Sequence, residues 1–288
     1  MIGNVMTTIG NELQHLAKQL ESAGIDNARF EARLLLEHVL NVETQILIAY
    51  PERDIADEHA QELERLLARR ISREPMSHIL GYREFWSLKF KVTKDTLTPR
   101  PDSETLIDAV LSHLPDSNKA LDVLDLGVGT GCLLLSVLSE YKNARGLGID
   151  ISEGALSVAK ENAKNLNLGD RTDFRLGNWG ENIDQTFDLI LSNPPYIPLT
   201  DKPALEPEVI DHEPASALFA GEDGLDDYRL LAEQFPTLLK DDGLAVIELG
   251  IGQSDEVAEL WMCAGLEVIG RPKDLGGIVR CHIIRKKS

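Results

Sequence analysis

The sequence predicts an α/β protein in which a sheet of seven strands, mostly parallel with an antiparallel last strand, follows a small all-α domain and a β-hairpin linker. Three observations predict it. Apolar residues recur three and four apart through residues 8–71, the signature of amphipathic helices. From residue 121 onward, apolar runs of strand length alternate with helix-length stretches, the pattern of a parallel sheet with helices on both faces. The last two runs, 266–270 and 278–284, have no helix between them, so they are expected to form an antiparallel edge. The expected domains are residues 1–72, a linker over 73–98, and 99–288.

In order along the chain, the helical unit carries Leu13-Leu16-Ala17-Leu20, Ala32-Leu35-Leu36-Val39-Leu40 and Leu63-Leu66-Leu67, with breaks at Gly24-Ile25-Asp26, Asn41-Val42 and Tyr50-Pro51. No catalytic constellation appears in it, which leaves a recognition or stabilising role. The aromatic, alternating run Phe85-Trp86-Ser87-Leu88-Lys89-Phe90-Lys91-Val92 reads as the hairpin. Thr98-Pro99-Arg100-Pro101-Asp102-Ser103-Glu104 is stiff at first and then able to cap a helix over 104–113. Arg100 between two prolines is costly to hold in place unless it serves a site. Strands are expected at 121–126, 144–149, 171–176, 187–191 and 243–248, and helices at 132–139, 155–165, 228–239 and 254–264.

With 43% hydrophobic and 27% charged residues, a chain of 288 residues can bury a full core in one large domain or two ordinary ones. Its formal charge of −19 argues against a broad phosphate-tracking surface, so no direct nucleic-acid binding is expected. The 3 cysteines, Cys132, Cys263 and Cys281, lack CxxC spacing, and no export signal or 18-residue apolar stretch is visible; a reduced, cytoplasmic, membrane-free protein is expected. The 7 histidines form no metal-ligand spacing, and no metal is expected.

Four stations follow the first four strands. Asp125-Leu126-Gly127-Val128-Gly129-Thr130-Gly131 is a glycine-rich strand-to-helix turn, where the missing Cβ atoms let a ligand lie against the backbone. Its G-x-G-x-G spacing differs from the dinucleotide fingerprint, and Asp125 beside it suits an amino-bearing ligand better than a pyrophosphate. Asp150 can accept the two hydroxyls of a ribose, cap the next helix, or do both. Asn178-Trp179 offers an amide and an indole to an adenine, although a Trp taken singly is more often a core residue than a cofactor contact. Ser192-Asn193-Pro194-Pro195-Tyr196 ends the fourth strand; two prolines stop both ladder and helix, leaving either a packed turn or a stiff segment that presents an amide, free carbonyls and a ring.

This order resembles the class I S-adenosylmethionine-dependent methyltransferases over residues 121–285. The Asn-Pro-Pro-Tyr element is similar to that of enzymes that methylate a planar nitrogen, an adenine amine or a glutamine amide. A closer resemblance covers nearly the whole chain. The helical unit, Arg73-Glu74-Pro75-Met76-Ser77-His78-Ile79-Leu80-Gly81 with Glu84-Phe85-Trp86, the Thr98 to Glu104 motif, Ser192-Asn193-Pro194-Pro195-Tyr196-Ile197 and Glu213-Pro214 look like the release-factor glutamine methyltransferases, the HemK/PrmC family. Val128 stands where a Thr is common there, and Asn178 where an Asp often precedes the Trp.

The resemblance implies a Rossmann-like methyltransferase sheet and the cofactor S-adenosyl-L-methionine, leaving S-adenosyl-L-homocysteine. It implies cofactor contacts from Asp125, Gly127, Val128, Gly129, Thr130, Gly131, Asp150, Asn178, Trp179 and Asn193. Catalysis falls to Asn193, Pro194 and Tyr196, and substrate contacts to these with Pro195 and Arg100. The implied substrate is the glutamine of the Gly-Gly-Gln loop of peptide-chain release factors, methylated on its side-chain nitrogen by a monomeric enzyme. An adenine-N6 methyltransferase, a cofactor-binding scaffold without catalysis and a dehydrogenase are the competing readings.

Overall fold

The computed structural model describes residues 7–287. Its contacts divide the chain into two units, one reaching Gly81 and including Pro207–His212, the other comprising Tyr82–Glu206 and the chain from Glu213 onward.

The first unit contains α1 (Ile9–Ser22), α2 (Ala28–Leu40), α3 (Thr44–Ala49), α4 (Asp57–Ile71) and α5 (Met76–Leu80). Thr8 caps α1 by accepting the Asn11 N–H at 3.3 Å. Asn41, left-handed, ends α2. Helix α4 places Asp57 and Glu58 in its first turn and Arg69 and Arg70 in its last, both favourable to the helix dipole. Leu16, Leu20, Leu35, Leu36, Leu63 and Leu66 form one buried cluster, each burial contributing roughly 1.5–3 kcal/mol before entropy. Arg70 is buried between Glu31 at 2.7 Å and Glu208 at 3.0 Å, and Arg73 reaches Glu208 at 3.2 Å. The helix at α5 was not expected, because Pro75 reads as a breaker; it instead precedes the first helical residue, where its missing N–H costs nothing.

The second unit begins with β1 (Tyr82–Phe85) and β2 (Leu88–Lys91), joined through Trp86 and Ser87, both at positive φ. That is the backbone of a tight hairpin turn, made here without glycine. It continues with α6 (Glu104–His113), β3 (Asp122–Leu126), α7 (Cys132–Glu140), β4 (Arg145–Asp150), α8 (Glu153–Asn165), β5 (Thr172–Leu176) and β6 (Phe187–Ser192). After α9 (Pro207–His212), assigned to the first unit, come α10 (Asp226–Leu238), β7 (Leu239–Glu248), α11 (Ser254–Cys263), β8 (Leu266–Gly270) and β9 (Cys281–Lys286).

The seven strands lie in the order β5-β4-β3-β6-β7-β9-β8. The first five are parallel, and β9 is antiparallel to both β7 and β8. The antiparallel strand is therefore inside the sheet, with β8 outside it. Strand β9 starts three residues later than expected because residues 271–280 form a loop held by Asp274, whose carboxylate accepts from Arg280 at 2.7 Å. Strand β7 starts earlier than expected, at Leu239; it pairs with Phe187, slips register, and resumes at Leu244. Alternate strand residues face opposite layers. Val123, Leu191 and Val246 pack with Leu134 and Val137, and Leu124, Ile190 and Ile247 with Phe235 and Trp261. The order reverses between β3 and β6, and a crevice at such a point is where open α/β sheets bind ligands. Among the described residues no helix is long and apolar enough to cross a membrane.

Candidate active site

A cavity of about 360 Å³ opens over the strand ends, lined from β3, β4, β5 and β6 and from the segment before α6. Its floor is the glycine turn. Gly127 and Val128 both donate to the Ile149 carbonyl at 2.9 Å, and Gly129 donates to Asp150 Oδ2 at 2.9 Å. Gly127 sits at φ +76°, and a Cβ there would come 3.2 Å from the Trp179 ring, so conformation and space both require glycine. Thr130 is buried, its carbonyl accepting from Asn162 Nδ2 at 2.9 Å, and Val128 packs into the core.

Asp125 is 1% exposed. Its Oδ2 accepts the Leu134 N–H at 3.2 Å, while Oδ1 has no partner among the described residues. Burial, helped by the nearby Asp150 charge and opposed by the Leu134 N–H, pushes its carboxyl up to about 7. Asp150 holds Gly129 N–H with one oxygen and Ser152 N–H with the other, each at 2.9 Å. Helix α8 is capped by Ser152, which accepts from Ala155 at 3.2 Å. A carboxylate oxygen has two lone pairs, so each Asp150 oxygen keeps one. Trp179 is half-buried, and the Asp227 carboxyl, hydrogen-bonded to it, is raised by burial. Asn178 is exposed and donates to Glu181 at 2.8 Å, leaving its carbonyl oxygen for the cavity it lines.

On the other side, the Ser192 hydroxyl donates to the Leu126 carbonyl at 2.7 Å and pins the end of β6 to the end of β3. Asn193 and Pro195 line the cavity; Pro194 is buried and Tyr196 half-buried. The Tyr196 carbonyl, freed from the ladder, accepts from Gln253 Nε2 at 2.9 Å. Asn193 Nδ2 donates to Ser103 Oγ at 3.4 Å, Ser103 Oγ donates to Glu248 Oε2 at 2.5 Å, and Tyr196 Oη donates to Glu248 Oε1 at 3.5 Å. Ser103, expected as a helix cap, makes no side-chain cap bond; its hydroxyl is committed to Glu248. Arg100 lines the cavity with its guanidinium on Glu213 at 2.5 Å, and Glu213 also accepts the Thr98 N–H at 3.3 Å.

Of the residues singled out in the sequence, Asp125, Gly127, Val128, Gly129, Thr130, Asp150, Asn178, Trp179, Asn193, Pro195 and Arg100 line this one cavity, whereas Gly131, Pro194 and Tyr196 do not. Sequence reading missed Asp227, Gln253 and Glu248. Glu248 had a signal: it closes the apolar run Ala245-Val246-Ile247, as Asp150 closes its own strand.

The fold is that of a methyltransferase domain. The family description "Methyltransferase domain" matches residues 117–263, and "PrmC N-terminal domain" matches residues 12–81. The chain is 45% identical over 280 residues to a release factor glutamine methyltransferase of Rhodospirillum rubrum, covering 97% of this chain and 86% of that one. It is 45% identical over 258 residues to that of Caulobacter vibrioides, covering 89% of each. A solved methyltransferase from Pyrococcus furiosus, 17% identical, shares the fold with a TM-score of 0.51 over 80% of this chain and 98% of the other. The chain belongs to the release factor glutamine methyltransferase family. Methyltransferases of this kind in general take their methyl group from S-adenosylmethionine.

Proposed function

We propose that this chain transfers the methyl group of S-adenosyl-L-methionine to the side-chain amide nitrogen of the glutamine in the Gly-Gly-Gln segment of peptide-chain release factors, in the cytoplasm and as a monomer. The observation that carries the reading is the placement of Asn193 on the cavity wall with its NH₂ group engaged by Ser103.

The cavity's residues fit the cofactor. Asp125 Oδ1 is an orphaned buried acceptor suited to an ammonium group, and the turn at Gly127 lacks the Cβ that would fill the floor. Each Asp150 oxygen retains a lone pair for a ribose hydroxyl, and Trp179 offers an apolar face to a base. When bound, the cofactor supplies an electrophilic methyl on a sulfonium.

The chain's own task is positioning. An amide nitrogen is a poor nucleophile because its lone pair is delocalised into the carbonyl. Asn193 Oδ1 and the Pro194 carbonyl would accept the two N–H groups of the target amide, holding its nitrogen toward the methyl, and Tyr196 would back the amide plane. An Asn suits this better than an Asp because it can be oriented through its own donor without burying an unpaired charge. The proton leaves to water after transfer. The helical unit is assigned to recognition of the release factor, and the charge of −19 weighs against a nucleic-acid substrate.

Asn193→Ala is expected to lower turnover of a release factor by about 10³-fold, the scale of losing a preorganised hydrogen-bonding group. Affinity for S-adenosylhomocysteine, read by calorimetry, should stay close to that of the unsubstituted protein. Near-normal turnover in this variant would overturn the reading.

A further inference from the structure

We infer that Glu248 is a positioning residue which, through the Ser103 hydroxyl, decides which end of the Asn193 amide faces the substrate. This rests on the role proposed above for Asn193 and extends it to a residue that touches neither substrate nor cofactor.

Glu248 is the last residue of β7 and is 1% exposed. One carboxylate oxygen accepts from Ser103 at 2.5 Å and the other faces the Tyr196 hydroxyl at 3.5 Å, so a single buried group meets Tyr196 directly and Asn193 through Ser103. The direction of each bond follows from counting hydrogens. An ionised carboxylate has none, so the one hydrogen of Ser103 must point at Glu248. Ser103 then offers Asn193 only a lone pair, and only the NH₂ end of the Asn193 amide can meet it, as found at 3.4 Å. Oδ1 is thereby left for the substrate N–H. The first turn of α6 lacks a side-chain cap because Ser103 is used in this way.

Protonation of Glu248 would undo this polarity. A carboxylic acid can donate to Ser103 Oγ, which frees the serine hydrogen to donate to Asn193 Oδ1 and favours the reversed amide. The groups around Glu248 are Arg280, which favours its ionised form, Asp102, which opposes it, the hydroxyls of Ser103, Tyr196 and Tyr228, and the thiols of Cys132 and Cys281. Arg280 is shared with Asp102 at 3.0 Å and Asp274 at 2.7 Å. Burial dominates and pushes the Glu248 carboxyl up to about 7, so the relay switches within the neutral range.

The test is the pH profile of kcat at saturating cofactor and release factor, with thermal unfolding and S-adenosylhomocysteine affinity as controls for folding. The unsubstituted protein should lose about tenfold in kcat per unit below pH 7. Glu248→Gln keeps an acceptor for Ser103 but cannot titrate, so its profile should be flat from pH 8 to 6. Glu248→Leu should lower kcat about 10- to 100-fold with the cofactor KM unchanged, and Gln at the same position should recover most of that loss. Ser103→Ala should reproduce the Leu variant, and Ser103→Thr should restore it. A readout independent of turnover is the ¹⁵N side-chain signal of Asn193, identified by its loss in Asn193→Ala. It should titrate near pH 7 in the unsubstituted protein and not in Glu248→Gln. The inference is overturned if folded Ser103→Ala and Glu248→Leu keep full kcat, or if the acid limb or the Asn193 titration persists in Glu248→Gln. A protein that methylates no release factor would sink the proposed function alone, because the Asn193 titration is read without substrate.

Discussion

The two sides of the cavity are built by different means. The side proposed for the cofactor is local: the glycine turn follows β3 directly, and Asp150, 21 residues from Gly129, fixes it by accepting the Gly129 N–H. The Asn193 side is assembled over distance, since Asn193 is oriented by Ser103, 90 residues away, and Ser103 by Glu248, 145 residues further on. One side uses backbone shape and the absence of side chains; the other uses side chains whose hydrogen bonds must run in one direction. A ligand that must only be held can be served by the first, whereas a weak nucleophile that must be aimed needs the second.

Substitutions can break this contrast. Asp150→Ala removes a charged acceptor from the cofactor side, and loss of such bonds costs roughly 1.5–3 kcal/mol, or about 10- to 100-fold in affinity. Calorimetric titration should show that loss, while kcat at saturating cofactor stays near normal. A fall in kcat without a fall in affinity would mean that the two sides are not separable.

A smaller effect sharpens the contrast through pH. Asp125 ionises near 7 because it is buried, so below that pH it is mostly neutral. A bound ammonium favours the ionised form, so cofactor affinity should rise from pH 6 to pH 8 by up to about tenfold, with proton release on binding. Titration in two buffers of different ionisation heat measures that release. Affinity independent of pH, with no proton released on binding, would place the ammonium away from Asp125.

The same contrast explains what the sequence shows and what it hides. Period and spacing reveal helices α1 to α4, the alternation from β3 to β8 and the glycine turn, because each is set by neighbours within a few residues. Asp125 and Asp150 are legible because each lies in the last two residues of a strand rich in apolar residues. Ser103 is misread as a cap because a serine before a helix has that role by local rules, and only the fold brings Glu248 to its hydroxyl. The position of β9 inside the sheet is hidden for the same reason: an antiparallel partner is chosen by register with β7, not by its own residues. Pro207–His212 carries no pattern strong enough to announce that it packs with the helical unit, where Glu208 meets Arg70 and Arg73.

In the proposed reaction this cavity aims a glutamine amide at a methyl donor. Incubating the protein with methyl-labelled S-adenosylmethionine, an intact release factor and, separately, DNA and RNA, followed by tandem mass spectrometry of the labelled product, tests it directly. One labelled methyl is expected, on the side-chain nitrogen of the Gly-Gly-Gln glutamine. Label on adenine, on another residue of the factor, or on none of the three would contradict it.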